Sequence, residues 1–397
     1  MKIDLVITEL DVGGAEQCLT NLALYLHRRS HSVRVIALSP PPSTDRNRLL
    51  KSLQSEGIET HFLGARRAWQ SPRVLARMRQ LIRIARPDIV QSFLFHANVL
   101  SALAYTPWKI PLIGGIRVVD PSRRRAILSR LASTCMQHVV CVSQSVADSC
   151  TIRENIPREK LVVIQNGVRI AGCPSDQVAS STSSQNARGG LCSFAQQKLG
   201  LPASTPCLLF VGRIDYQKGA DILLERADRI LTALPLHNII LVGDGPLKVI
   251  AQSHASRCEH ENRIHFAGRR DDVLRWMQSS QLLLLPTRYE GMPNVVLEAM
   301  SCGLPIVSTR AEGVLELLGE AAVEQTVPVN DWDAWTEKTI HLATSQDNRD
   351  RLSDANYDRC VQQFNLTDKL LHYEQLYLDT LARRNDVPSN SPNDVSR

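Results

Sequence analysis

The chain has 397 residues, 43% of them hydrophobic and 22% charged, which suits two globular domains with apolar cores and excludes fibrous and disordered classes. No stretch reaches the roughly 18 apolar residues of a membrane span. Asp4 interrupts the first apolar run, so no signal peptide is expected. Ten scattered cysteines without paired metal spacing point to reduced thiols and a cytoplasmic location.

The net charge of +6 conceals an asymmetry. Residues 1–170 carry 24 Lys/Arg and 12 Asp/Glu, net +12, and the remainder carries 22 and 28, net −6. The two halves therefore face different electrostatic partners.

Taken in chain order, KIDLVIT predicts a strand, VGGAEQCLTNLALYLHRR a loop running into an amphipathic helix, and HSVRVIAL a second strand. A basic helix follows (SPRVLARMRQLIRIAR), then a strand (DIVQSFL), a helix (NVLSALAYT), a strand (PLIGGIR), a second basic helix (RRRAILSRLAST) and a strand (HVVCVS). Strands alternating with helices predict a parallel, doubly wound sheet over residues 1–170. Residues 171–200, rich in Ser, Gly and Asn, read as a linker or flexible insertion. The pattern then restarts over 201–365, from PCLLFVGRIDYQKGADILLERADRI through NIILVGDGP, RIHFAGRRDDV and QLLLLP to PIVST. A last amphipathic helix is expected at 366–384 and a disordered tail at 385–397. The fold class is α/β, two Rossmann-like domains in tandem. Ligands bind beyond the carboxyl ends of such strands, so an interdomain cleft is the expected site.

The chemistry concentrates in RYEGMPNVVLEAMSCGLP, where Glu290 and Glu298 stand eight residues apart after the buried-looking LLLLP. Pro293 suits a first helical turn, where its missing N–H is no loss. The amides from Gly291 through Met292 and Asn294 to Val295 would then point out of a helix N-terminus, a ready anion site. Arg213 and Lys218 in GRIDYQKG follow the first strand of the same domain. A guanidinium fork and an ammonium there complement a diphosphate without metal. The two glutamates remain for hydroxyl groups, Glu290 for a sugar and Glu298 for a ribose.

Glu290 and Glu298 at this spacing, the GRIDYQKG loop, VGDGPL, FAGRRDDV and the N-terminal VGGAE together resemble the retaining family-4 glycosyltransferases of the GT-B fold. The resemblance covers nearly the whole chain apart from 171–196 and the tail. It implies a nucleoside-diphosphate sugar as co-substrate, no required cofactor, a glycan or lipid-linked acceptor held by the N-terminal domain, and a C-terminal helix crossing back to that domain. It also implies that Arg213 and Lys218 stabilise the departing diphosphate and that Gly13 and Gly14 close over it. Gly268, Arg269 and Arg270 would lie beside the base.

Other residues carry competing readings. His96 lies just past a strand. Arg117 stands where relatives of the family often have a site histidine, and an arginine cannot serve as general base near neutral pH; both are candidates for an acceptor or phosphate. Asp331-Trp332-Asp333 matches a metal-binding pattern of other transferases, but its place before a helix favours an N-cap, and Asp271-Asp272 read the same way. The arginines of the two basic helices, 73, 77, 79, 83 and 86 and then 123, 124, 125 and 130, suit an anionic membrane surface or a solvated face. Nucleic acid is disfavoured for want of interleaved aromatic residues. A nucleotide-sugar epimerase, a phosphorylase or a non-catalytic nucleotide-sugar-binding protein stay open as alternatives.

Overall fold

The computed structural model describes residues 1–66, 70–118, 122–170 and 193–385. The chain divides into two units, one built from Met1–Ile164 and the chain from Asp368 on, the other from Gln165–Thr367.

Unit 1 runs β1 (Lys2–Ile7), α1 (Gly14–Arg28), β2 (Ser32–Ala37), α2 (Arg48–Ser55), β3 (Glu59–Phe62), α3 (Ser71–Ile84) and β4 (Ile89–Phe93). It continues through α4 (Phe95–Tyr105), β5 (Leu112–Ile116), α5 (Arg123–Thr134), β6 (His138–Cys141), α6 (Gln144–Arg153) and β7 (Leu161–Val163). Every pairing is parallel, in the order β3-β2-β1-β4-β5-β6-β7. Such a sheet is covered on both faces, which is why its central strands are continuous apolar runs. Asp4 is the exception in β1: Arg34 of β2 forks onto its carboxylate at 2.9 and 2.8 Å, and Tyr105 Oη donates to it at 2.8 Å.

Unit 2 holds α7 (Phe194–Leu199), β8 (Cys207–Val211), α8 (Ala220–Ala233), β9 (Asn238–Val242), α9 (Lys248–Ala255), β10 (Ile264–Gly268), α10 (Val273–Gln278) and β11 (Leu282–Leu285). Then come α11 (Asn294–Ser301), β12 (Ile306–Thr309), α12 (Val314–Leu318), α13 (Ala322–Gln325), β13 (Thr326–Val327), α14 (Trp332–Thr344) and α15 (Gln346–Gln363). Its sheet is parallel throughout, in the order β10-β9-β8-β11-β12-β13. The fully buried CLLFV of β8 and LLLL of β11 are neighbours at its centre.

The segment expected as linker to residue 200 ends instead in a helix. Phe194 meets the Trp276 ring edge-on at 5.7 Å, and Gln196 Nε2 donates to the carbonyls of Thr205 and Ser279. This burial draws α7 onto unit 2. Residues 171–192 of that linker and 386–397 of the expected tail lie outside the described residues.

The final helix, α16 (Leu366–Asn385), returns to unit 1. Its stripe of Leu370, Tyr373, Glu374, Tyr377 and Thr380 is buried at helical spacing. Glu374 accepts from Tyr25 Oη at 3.0 Å and Arg29 Nε at 3.3 Å and pairs with His31 Nε2 at 2.9 Å.

Candidate functional site

In unit 2 the winding direction reverses between β8 and β11, because β9 and β10 lie to one side and β12 and β13 to the other. Loops leaving such a switch point diverge and open a crevice at the carboxyl ends. The β8–α8 loop carries Arg213 and Lys218, and the β11–α11 loop carries Glu290 to Pro293.

The structure brings these together. Lys218 Nζ is 2.5 Å from Glu290 Oε1, with side chains 19% and 6% exposed, and Thr287 Oγ1 donates to the same oxygen at 3.0 Å. Asp215 organises the first loop. Its Oδ1 accepts the Lys218 amide at 3.0 Å and its Oδ2 pairs with Arg213 Nε. The Arg213 side chain is 64% exposed, so most of its guanidinium still meets solvent.

The two loops are also fastened through backbone. Arg288 N–H donates to the Gln217 carbonyl at 2.9 Å, and the Gln217 amide group donates to the Tyr289 carbonyl at 3.0 Å. The Arg288 guanidinium forks onto Asp221 at 3.0 and 2.7 Å and stacks 3.7 Å from the centre of the Tyr216 ring. Gly219, at φ 73°, has its α-carbon so close to Pro286 that a Cβ would fall 1.9 Å from that carbonyl. Only glycine accommodates both that contact and that backbone region.

Helix α11 begins at Asn294, so Pro293 is its N-cap residue and not part of its first turn. The capping position is extended and supplies no side-chain bond. The amides of Gly291, Met292 and Val295 donate to no acceptor among the described residues. They lie at the positive end of the helix dipole, where unpaired amides favour an anion. Asn166 braces this turn, its Nδ2 donating to the Met292 carbonyl at 3.1 Å and to Asn294 Oδ1 at 2.7 Å. Glu312, in the loop after β12, accepts the Glu290 amide at 3.4 Å. Glu298 lies one turn into α11, half-buried. Gly268, at φ 70°, ends β10, and Arg269 beside it is half-buried. These two follow β10, two strands along the sheet from β8. Arg270 is exposed, 5.4 Å from the Trp276 ring.

Two alternative readings receive direct answers. Asp331 Oδ1 accepts the Ala334 amide at 3.1 Å and so caps α14, while Asp333 bridges Arg226 and Arg229 at 2.7 and 2.9 Å. Both carboxylates of the metal-like pattern are thereby engaged. Asp272 stands at the N-cap of α10 as expected, but its carboxylate accepts Trp276 Nε1 at 3.1 Å and caps no amide.

In unit 1, Gly13 caps and Gly14 opens α1 after β1. The space beside Gly13 is taken by the Glu16 carboxylate, which would lie 2.3 Å from a Cβ there. Burial raises the Glu16 carboxyl to about 7, helped by Glu9 and Asp11 and opposed by a backbone hydrogen bond and by Arg117. Arg117 follows β5, buried, and donates to Cys18 Sγ at 3.0 Å; Tyr373 of α16 also bonds to it. Its guanidinium is therefore built into the unit. His96 is exposed on the first turn of α4, where burial and Arg125 lower its pKa. Leu94 just before it sits at φ 72°, ψ 159°, a region nearly reserved for glycine. The Asn98 side chain, bonded to Ser92 Oγ and to both backbone groups of Gly115, secures that strained turn.

Asp215, Thr287, Arg288, Asn166 and Glu312 were not singled out from sequence. One local signal was available: Asp215 three residues before Lys218 is the spacing of a side-chain-to-amide turn.

Two family profiles match. One, described as Glycosyltransferase Family 4, covers residues 12–171, and the other, Glycosyl transferases group 1, covers 205–345. The chain belongs to the family-4 glycosyltransferases. It is 36% identical over 129 residues to the Vi polysaccharide biosynthesis protein VipC/TviE of Salmonella typhi, a match covering 31% of this chain and 22% of that protein. It is 23% identical over 323 residues to a UDP-Gal:alpha-D-GlcNAc-diphosphoundecaprenol alpha-1,3-galactosyltransferase of Escherichia coli, covering 78% of this chain and 80% of the other. The chain spans half or less of the length of the first curated relatives it matches. Among solved structures it is similar to HepE of Anabaena in complex with UDP and glucose, with TM-score 0.80 at 19% identity over 96% of this chain and all of that one. That likeness shows the GT-B fold.

Proposed function

We propose that this glycosyltransferase moves a hexose-type unit from a nucleoside-diphosphate sugar to a glycan or lipid-linked glycan, with retention at the anomeric carbon. The observation that carries the reading is the meeting of Lys218 and Glu290 before the N-terminus of α11 at the β8/β11 switch point, with Arg213 held by Asp215 in the same β8–α8 loop. Relatives support it: one is named for a UDP-galactose donor and a diphosphoundecaprenol-linked acceptor, and the HepE structure holds UDP with glucose.

The chemistry follows from where charge develops. As the bond from the anomeric carbon to the diphosphate breaks, its electron pair stays on the phosphate oxygen. In this reading Arg213, Lys218 and the amides of Gly291 and Met292 would receive that charge, usually the largest catalytic term. The acceptor hydroxyl adds to the anomeric carbon on the face the diphosphate leaves, and its proton passes to the departing phosphate oxygen. Glu290 would hold sugar hydroxyls and Glu298 the ribose. In this reading the two cations supply the positive charge a metal would otherwise bring.

Strands are spaced about 4.8 Å apart, so the β10 loop with Gly268 and Arg269 stands roughly 10 Å along the sheet from the β8 loop. That separation suits a nucleoside extending from the diphosphate. The acceptor belongs in this reading to unit 1, at the cytoplasmic face of a membrane when it is lipid-linked. Among the described residues no helix is long and apolar enough to cross a membrane.

The test is a thermal-shift screen over nucleoside diphosphates and their sugars, followed by transfer to a water-soluble glycan with the product's anomeric configuration read by NMR. A native-state ligand raises the midpoint by mass action. No shift with any nucleoside diphosphate would overturn the donor assignment, and an inverted product would overturn retention.

A further inference from the structure

Helix α5 of unit 1 turns its apolar side chains the wrong way for a buried helix. Ile127, Leu128 and Leu131 are 62%, 45% and 59% exposed, while Ala126, Ser129, Ala132 and Ser133 face the protein. The exposed three fall at i, i+1 and i+4, one stripe of a helical wheel. Arg123, Arg124 and Arg130 flank that stripe, all exposed. Helices α3, α4 and α5 contain eight arginines and no Asp or Glu. The sequence pointed equally to α3, but the structure separates the two helices. Arg77, Arg79 and, just beyond α3, Arg86 donate to the carbonyls of Leu63, Leu103 and Trp108, which makes them partly structural.

We propose that α5 is the surface by which this glycosyltransferase docks on an anionic bilayer, seating Ile127, Leu128 and Leu131 at the headgroup–acyl boundary with Arg123, Arg124 and Arg130 against lipid phosphates. An exposed apolar crest edged by arginines has the form of an in-plane interfacial helix. A purely solvated basic face would have no reason to expose three large aliphatic side chains side by side. A second copy of the chain is a poorer occupant, because facing α5 helices would bring like charges together with no carboxylate between them. The docking deepens the lipid-linked-acceptor reading and rests on it for its purpose.

The experiment is cosedimentation of the full chain with phosphatidylcholine vesicles, with and without phosphatidylglycerol, at low and high salt. Binding is expected to the anionic vesicles and to weaken with salt. Replacing Arg123, Arg124 and Arg130 by Gln should weaken it by roughly fivefold per residue. Ile127→Ser, Leu128→Ser and Leu131→Ser together should weaken it at both salt concentrations. Both variants should keep the unfolding midpoint and the transfer rate to a water-soluble acceptor, so failure of docking and failure of the transferase reading register in different assays. Absence of sedimentation by the unaltered chain at either salt would overturn the proposal. So would binding indifferent to both triple variants, or a chain dimer in solution that the serine variant dissociates.

Discussion

Lys218 and Glu290 are 72 positions apart in the chain and meet at 2.5 Å, because β8 and β11 lie side by side and each sends its loop over the same carboxyl edge. The pair is nearly dry on the carboxylate side, with Glu290 6% exposed. In the proposed reaction the ammonium must exchange this carboxylate for a diphosphate. In that reading the two residues are coupled in stability and in function.

Lys218→Met strands a buried carboxylate and is expected to destabilise the chain by about 3 kcal/mol. Urea unfolding of the single variants and of the Lys218→Met, Glu290→Gln double variant should be clearly non-additive, the second change recovering part of the loss. Glu290→Gln alone should bind nucleoside diphosphate at least as tightly as the unaltered chain while turning over far more slowly. Equal losses in binding and turnover would contradict that split.

Arg213 is largely exposed, so Arg213→Ala should leave the unfolding midpoint unchanged while lowering turnover by about 10²–10³. Asp215→Ala frees both the guanidinium and the Lys218 amide and should lower turnover in the same direction. Asp215→Asn keeps an acceptor for that amide and should lower it less. Steady-state kinetics on the three variants give the comparison, and near-normal turnover of Arg213→Ala would refute leaving-group stabilisation.

Glu16 supplies a pH signature in unit 1. Its carboxyl is raised by burial from 4.5 to about 7. Between those values the folded chain binds more protons than the unfolded chain, so this contribution to stability is full below about pH 4.5 and is lost as pH rises through about 7. The change amounts to about 3 kcal/mol. Relative to the unaltered chain, Glu16→Gln should gain stability by about that amount between pH 4.5 and pH 8, as measured by denaturant unfolding across the range.

Asn166→Ala removes the brace on the α11 turn and leaves the Met292 carbonyl without its side-chain donor. A cost of about 1–3 kcal/mol is expected from the unmet buried partner. Nucleoside-diphosphate affinity, read by calorimetry, should fall with it, whereas Asp354→Ala, at an exposed position of α15, should change neither.

Much of the candidate site was legible because it is local. Glu290 to Val295 is one continuous turn, and Arg213 to Lys218 another, each between a strand and a helix marked by its apolar period. Asn166, Thr287, Glu312 and Tyr373 were not legible, since a Thr before Arg-Tyr-Glu or a Tyr in a C-terminal helix has no pattern of its own. Their roles arise from contacts between segments far apart in the chain. Gly13 shows the same limit in another way. The family resemblance has it close over a diphosphate, and only the fold shows the chain's own Glu16 carboxylate lying against it.

By itself the order of residues determined two parallel sheets and the loops that bear charge, because strand and helix periods and Gly-Pro turns are written in neighbouring positions. Which charges touch, which arginines are tied to carbonyls and which apolar side chains stay outside was decided only by the tertiary structure. Strand order and helix rotation set distances across the sheet edge, and burial sets the dielectric in which each charge acts.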